Sequence, residues 1–236
     1  TFDDLDEEND SKVNQIARLV HYLKCLPIHL ISLDKVDADD IIAYLANYMA
    51  EKYNSKCVIV SADKDFLQLV NNNITVYSPM IKEYYTPQTV IEKFGLPPKN
   101  FILYKTLLGD SSDKIPGLKG LGPKKLFKFF PELTEREVSL EDLYNICESK
   151  YKDNVIYSKF IFEYETLQKH YKLMDLGNPL VDAEEKQYIE SLTLMPAEKI
   201  KVAEFLKMYN EDGLKHVLTN ADYWIRNTFT TLSSFK

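Results

Sequence analysis

Seven aspartates arrive in three tight groups: Asp37, Asp39 and Asp40 in VDADD, Asp63 and Asp65 in SADKD, and Asp110 and Asp113 in GDSSD. Each group stands where a strand or loop turns into a helix. Carboxylates repel one another, so a fold that gathers them must place something cationic among them, and hard oxygen ligands call for Mg2+ or Mn2+. Such a set suits a two-metal site. Two ions about 3.5–4 Å apart can bind both the attacking water and the leaving 3′ oxygen of an in-line displacement at phosphorus, with a carboxylate bridging them and no protein nucleophile required.

The third group runs directly into IPGLKGLGPKKL, Ile115 to Leu126, where Gly117, Gly120 and Gly122 alternate with apolar residues and lead to Lys124, Lys125 and Lys128. This reads as a phosphate-gripping hairpin. Its glycines let backbone N–H groups approach a nucleic-acid backbone, and the helix that follows offers its positive end to a phosphate. Metal carboxylates beside a phosphate clamp imply a nuclease. Singly, each aspartate group has a plainer reading as an N-cap or capped turn, since aspartate before a helix suits the first turn. Three groups in this order, with the hairpin directly after the last, favour chemistry.

The elements that must position these residues follow from periodicity. Ser11 to Cys25 reads as a helix with Val13, Ile16, Leu19, Val20 and Leu23 on its apolar face, and Asp37 to Tyr53 as a second amphipathic helix. His29 to Leu33 and Cys57 to Ser61 read as strands, Lys64 to Val70 as a short helix, and Ile74 to Tyr85 as a strand pair turning near Pro79. The alternation implies a parallel α/β sheet with crossover helices, in which VDADD and SADKD share the edge beyond the carboxyl ends of the strands. After Thr86 the pattern is helical: Pro87 to Phe94, Asn100 to Leu108, Pro123 to Phe130, Leu140 to Ser149, Val155 to Tyr171, and more to Phe235. The division expected is an α/β nuclease core over residues 1–95, then a helical region over 96–236 with the hairpin at about 107–130.

The 236 residues are 45% hydrophobic, enough for a substantial core. No apolar run is long enough to span a bilayer, and no signal-peptide pattern occurs, so the expected location is the cytoplasm and no membrane partner is expected. Cys25, Cys57 and Cys147 are odd in number and far apart, which fits reduced structural thiols; His21, His29, His170 and His216 form no ligand spacing, and zinc is not expected. The formal net charge of −7 is concentrated by six acids between Asp3 and Asp10, read as a solvated, mobile start. Between Ser111 and Phe130 there are five lysines, Lys114, Lys119, Lys124, Lys125 and Lys128, against one acid, Asp113. A local basic stripe can hold phosphates whatever the net charge.

The runs DADDIIAYL, VIVSADKDFLQLV and YKTLLGDSSDKIPGLKGLGPKKL together resemble the 5′-nuclease superfamily, which includes flap endonucleases and the 5′-nuclease domain of bacterial DNA polymerase I. YSPMIKEYY at 77–85 and KLMDL at 172–176 look most like the RNase H type 5′-nuclease of T-even-like bacteriophages. The resemblance implies a PIN-like parallel-sheet core and a helix-hairpin-helix or helix-three-turn-helix motif that binds DNA through Gly117, Lys119, Gly120, Gly122, Lys124, Lys125 and Lys128. It implies two Mg2+ or Mn2+ ions, with Asp39 as the bridge, Asp37 and Asp40 on one side, Asp63, Asp65 and Asp113 on the other, and Asp110 supporting through water. Of these, Asp37, Asp39, Asp63, Asp65 and Asp113 would be catalytic. It further implies a monovalent cation at the hairpin, DNA and RNA–DNA hybrids as substrates, primer removal in replication, contacts with a single-stranded-DNA-binding protein and a sliding clamp, a monomer when full length, and the host cytoplasm if phage-encoded.

The chain departs from that pattern in three places. Asp37 stands where relatives carry glutamate, one methylene longer, and Lys114 follows the last metal aspartate where asparagine is common. The first family strand, with a further metal aspartate, and the lysine- and arginine-bearing arch are not found, so the chain reads as the C-terminal part of a longer nuclease, with residues 1 to about 25 descending from the arch. A fragment of that kind could be impaired, and the alternative reading is a non-catalytic DNA-binding module derived from such a nuclease.

Overall fold

The computed structural model describes residues 5–230. The chain falls into two compact units, Asp34–Lys186 and, from the two ends of the sequence, Thr1–Leu33 with Gln187–Lys236. No boundary falls near residue 95.

The Asp34–Lys186 unit begins with α2 (Ala38–Tyr53), following α1 (Leu5–Leu23) of the other unit. A small sheet follows: β1 (Cys57–Val60), β2 (Ile74–Ser78) and β3 (Glu83–Tyr85), in the order β1-β2-β3. β1 and β2 are parallel from Cys57↔Ile74 to Val60↔Tyr77, and β3 returns antiparallel with Val76 opposite Tyr85. Alternation does the sorting: Ile59, Ile74, Val76 and Tyr85 are buried, whereas Val58 and Val60 face outward. The buried face packs with α2 through Ala43, Ala46 and Ala50, whose small side chains share one helical stripe, and with Phe66, Leu67 and Val90. The 3₁₀ turn Asp65–Leu69 follows β1.

The helices after the sheet are α3 (Pro87–Phe94), α4 (Phe101–Leu108), α5 (Pro123–Phe129), α6 (Glu132–Glu135), α7 (Leu140–Ser149), α8 (Val155–Phe162) and α9 (Tyr164–Met174). Between α4 and α5 lie two two-residue strands, β4 (Gly109–Asp110) and β5 (Ile115–Pro116). A second apolar cluster joins Leu103 and Leu107 of α4 to Leu118, Leu126, Phe130, Leu143 and Phe160. The Leu118 N–H donates to the Leu107 carbonyl at 2.8 Å, so the glycine-rich segment is tied back to the helix that precedes it. Reciprocal caps start α3 at Thr86 with Thr89 and α7 at Ser139 with Asp142.

α10 (Ala183–Thr193) crosses the unit boundary, and α11 (Val202–Glu211) and α12 (Ala221–Thr230) complete the other unit. Its core gathers Cys25, Phe205, Met208, Tyr209 and Ile225. Arg18 of α1 grips Asp212 at 2.8 and 3.1 Å and Glu211 at 2.9 Å, while the Tyr22 hydroxyl donates to Asp212 at 2.6 Å.

Several expectations need correction. The acidic start is helical from Leu5, because acids suit a helix N-terminus and Glu8 pairs with Lys12 at 2.6 Å one turn on; Asp3 and Asp4 lie outside the described residues, as does Phe235. Val13, Ile16 and Leu19 are exposed, since α1 packs through Tyr22, with Cys25 just beyond its end, instead. His29 to Leu33 is not a strand: it joins neither sheet ladder, and Leu30 is exposed. VDADD therefore follows a loop. The sheet is mixed rather than parallel throughout, and one face of β1 is open. The helix expected over 155–171 breaks at Glu163 into α8 and α9. All three cysteines are free thiols, as expected.

Candidate active site

Asp37 occupies the N-cap position of α2, yet its side chain makes no capping hydrogen bond. Its carboxylate is not spent on the plainest structural role open to it. Asp39 and Asp40 follow in the first turn of α2, and these three residues line a cavity of about 590 Å3 together with Asp65, Asp113, Ile115, Met174, Leu176 and Leu180. Burial, followed by the charges of Asp63, Asp37, Asp40 and Asp113, pushes the Asp39 carboxyl up from its ordinary value. One carboxylate thus feels four others, drawn from all three sequence groups.

Asp65, Asp110 and Asp113 come closer still, each offering an oxygen within 4.8 Å of the others. The 3₁₀ turn supplies Asp65, and the tight β4–β5 turn supplies Asp110 and Asp113. Asp63 stays at the edge: its Oδ1 accepts the Asp65 N–H at 2.9 Å and so fixes the start of that turn. Asp110 is fully engaged, its Oδ1 accepting the Ser112 N–H at 2.8 Å and the Ser112 hydroxyl, and its Oδ2 lying 2.5 Å from Lys105 Nζ. Those partners, Lys105 first, hold its carboxyl well below the usual carboxylate range. Asp40 is anchored too, accepting the Leu180 N–H at 2.9 Å.

Two features were not found from sequence. Lys105, in the last turn of α4, reaches both Asp65 and Asp110 with its ammonium. The signal was available as the one charged residue in the otherwise apolar and hydroxyl-bearing run FILYKTLL, five positions before Asp110. Met174 and Leu176, noted only within the KLMDL resemblance, and Leu180, not noted, supply a wall of the carboxylate cavity.

Oxygen-only carboxylates at this spacing fit a hard divalent cation. Asp65 and Asp113, with Asp110 close by, could hold one ion, and Asp37, Asp39 and Asp40 line the same cavity as Asp65 and Asp113.

The glycine-rich segment has a different logic at each glycine. Gly109 (φ +81°) and Gly117 lie back to back: a Cβ on Gly117 would fall 2.1 Å from the Leu108 carbonyl carbon, and one on Gly109 would fall 2.3 Å from the Gly117 nitrogen. The missing side chain of Gly117, expected to admit a phosphate, therefore serves backbone contact inside the fold. Gly120 needs its positive φ of +92°, while Gly122 faces open space. Lys125 donates to the Gly120 carbonyl at 3.2 Å, and Lys119, Lys124, Lys125 and Lys128 are all exposed. α5 has only seven residues, which limits what its N-terminal end can offer.

A model of the 5′-3′ exonuclease N-terminal resolvase-like domain matches residues 6–95. A 5′-3′ exonuclease of Aquifex aeolicus (strain VF5) is 44% identical over 110 residues, 47% of this chain and 38% of that protein. Over these segments the chain is similar to the 5′-nuclease superfamily. Within this superfamily, the DNA polymerase I of Bacillus subtilis (strain 168) is 37% identical over 145 residues, 60% of this chain and 16% of the polymerase. The chain spans less than half the length of the 5′-3′ exonucleases it matches, 38–47%. The fold is shared with the T5 5′-exonuclease solved with bound divalent metal ions (zinc), at a TM-score of 0.60 and 21% identity over 71% of this chain and 62% of that one. It is shared as well with the T5 flap endonuclease in a complex with DNA and metal ions, at a TM-score of 0.58 and 19% identity, over 70% of this chain and 61% of that one. No helix among the described residues is long and apolar enough to cross a membrane.

Proposed function

We propose that this chain carries the carboxylate centre of a metal-dependent 5′-nuclease that hydrolyses phosphodiester bonds near 5′ ends of DNA or RNA–DNA hybrids, in the manner of a 5′-3′ exonuclease or flap endonuclease. The observation that carries this reading is the convergence of Asp39, Asp65, Asp110 and Asp113, from three separate segments, on one region beside a basic glycine-rich turn. Two Mg2+ or Mn2+ ions, when bound, would supply Lewis acidity and an activated water. Asp65 and Asp113 would hold one ion, Asp37 and Asp39 would face the second, and Asp110 would support from behind through its bonds to Lys105 and Ser112. Asp40 and Asp63, each with an oxygen already committed to a backbone N–H, would set the positions of their neighbours.

The hairpin between α4 and α5 is read as the DNA clamp, in the helix-hairpin-helix manner. Gly120 and Gly122 leave its turn open to a phosphate, and Lys119, Lys124, Lys125 and Lys128 supply charge. Phosphate contacts of this kind position a strand without reading its sequence. Removal of primers during replication is the role this activity would serve.

The test is cleavage of a duplex with a 5′ flap by the chain in Mg2+, with EDTA as control. Products ending in 5′-phosphate and 3′-hydroxyl, lost in Asp39→Asn and Asp65→Asn while DNA binding stays within a few-fold, are expected. DNA binding without any metal-dependent cleavage would instead favour a non-catalytic DNA-binding module.

A further inference from the structure

α8 buries Ile156, Tyr157 and Phe160 in the second apolar cluster, which turns Val155, Lys159 and Phe162 to the opposite side of the helix. Phe162 is 93% exposed and Val155 62%. A single exposed apolar residue needs no explanation. Here the two flank a lysine on one stripe, and that lysine is fixed to the hairpin: Lys159 Nζ donates to the Lys119 carbonyl at 3.1 Å, and it lies 3.9 Å from the place a Cβ on Gly120 would occupy. Lys125 holds the other side of the same turn through the Gly120 carbonyl. The run VIYSKFIF carries no acid. Phe162 therefore stands three residues along the helix from the lysine that holds the basic turn.

We propose that the outer face of α8 extends the hairpin's strand-binding surface, with Lys159 holding the glycine turn in place and Phe162 stacking on an unpaired nucleobase of the strand whose phosphates the hairpin grips. The inference rests on the hairpin reading given above. Charge chooses the partner, since a nucleic-acid strand is the occupant that offers phosphates to Lys119, Lys124 and Lys128 and a π-face to Phe162 together. A base inside a duplex has both faces covered, which makes the base an unpaired one, in a single-stranded tail or at a frayed end.

The experiment uses the full chain and two fluorescent DNA probes without divalent metal, a blunt duplex and the same duplex with a single-stranded tail carrying 2-aminopurine. Phe162→Ala should weaken the tailed probe about thirtyfold, the middle of the range for one stacked base, and should abolish quenching of 2-aminopurine. The blunt duplex and the slope of log affinity against log salt should not change, and Phe162→Trp should restore both readouts. Lys124→Ala/Lys128→Ala should weaken both probes and flatten the salt slope. If Phe162→Ala binds and quenches like wild type while the lysine variant weakens, the Phe162 inference is overturned and the hairpin reading stands. If the lysine variant binds both probes like wild type, the hairpin reading fails, and with it the strand on which Phe162 was to act. A wild-type dimer in sedimentation that Phe162→Ala dissociates would assign this face to a second copy of the chain and overturn the proposal.

Discussion

Lys105 and Asp110 stand five residues apart across the end of α4 and close a 2.5 Å ion pair in which the two side chains are 13% and 11% exposed. The same ammonium pairs with Asp65. Lys105 thus occupies, as part of the chain, the cationic role between two carboxylates that a divalent ion would share.

Lys105→Met should make the chain depend on metal for its stability. Removing one partner of a nearly buried ion pair costs about 3–5 kcal/mol, because the remaining charges are left without compensation. Thermal unfolding in EDTA should fall accordingly, and saturating Mg2+ should recover most of the loss, since a ligand that binds only the folded state stabilises it by mass action. A variant that melts like wild type in EDTA would show that Lys105 carries no such burden.

The pH dependence of the metal-free chain should carry the sign of Asp39. Its folded carboxyl is raised above the ordinary value of 3.8, so the unfolded chain ionises first. The stability this group contributes is complete below that ordinary value and is lost as pH rises through the raised folded value. Asp39→Asn removes the loss and should melt higher than wild type in EDTA at neutral pH, by roughly 2–4 °C for each kcal/mol of relieved repulsion, with the gap narrowing toward pH 4. Asp110 has the opposite sign: its lowered carboxyl stabilises the fold above the ordinary range and ceases to do so as acid protonates it. A lower melting point for Asp39→Asn at neutral pH would give Asp39 a structural role instead.

What the sequence disclosed, and what it hid, divides along physical lines. The three aspartate groups were legible because like charges at close spacing are costly without a purpose, and their meeting around Asp39 follows from that reasoning. α2, the turn near Pro79, α3 and α7 were legible from periodicity and caps. The His29–Leu33 segment misled, since a short apolar run cannot show whether a neighbouring strand exists to pair with it. α1 misled in a second way: its apolar stripe is real in sequence, yet Arg18 and Tyr22 find Asp212, nearly two hundred residues away, and set which side packs. Lys105 was hidden because its partners lie in a 3₁₀ turn held by the first apolar cluster and a tight turn held by the second, which only tertiary packing brings together.

Gly117 and Gly122 of the same segment should respond differently. In Gly117→Ala the new Cβ would meet the Leu108 backbone at 2.1–2.3 Å, which cannot move aside like a side chain end, so a loss of about 3 kcal/mol or more is expected in urea unfolding. Gly122→Ala meets nothing within 4 Å and has an ordinary φ of −131°, so its stability should stay near wild type. Equal stability for both variants would contradict the back-to-back packing of Gly109 and Gly117.

Replacing Lys124, Lys125 and Lys128 by alanine should weaken binding to every duplex sequence alike, and each lost phosphate contact should reduce the slope of log affinity against log salt by about 0.9. Gly120→Val should weaken binding more than any single one of these changes, because a β-branched residue resists the +92° φ that shapes the turn. An unchanged salt slope in the triple variant would place these lysines on an unrelated solvated surface.

The central claim, that aspartates from three sequence groups form one divalent-cation site, is tested most directly by titrating Mn2+ into the chain and following free Mn2+ by electron paramagnetic resonance. Wild type should bind, Asp113→Asn and Asp65→Asn should each lose at least about tenfold in affinity, and Asp222→Asn, a change in the other unit, should bind like wild type. Equal Mn2+ binding by wild type, Asp65→Asn and Asp113→Asn would contradict the site.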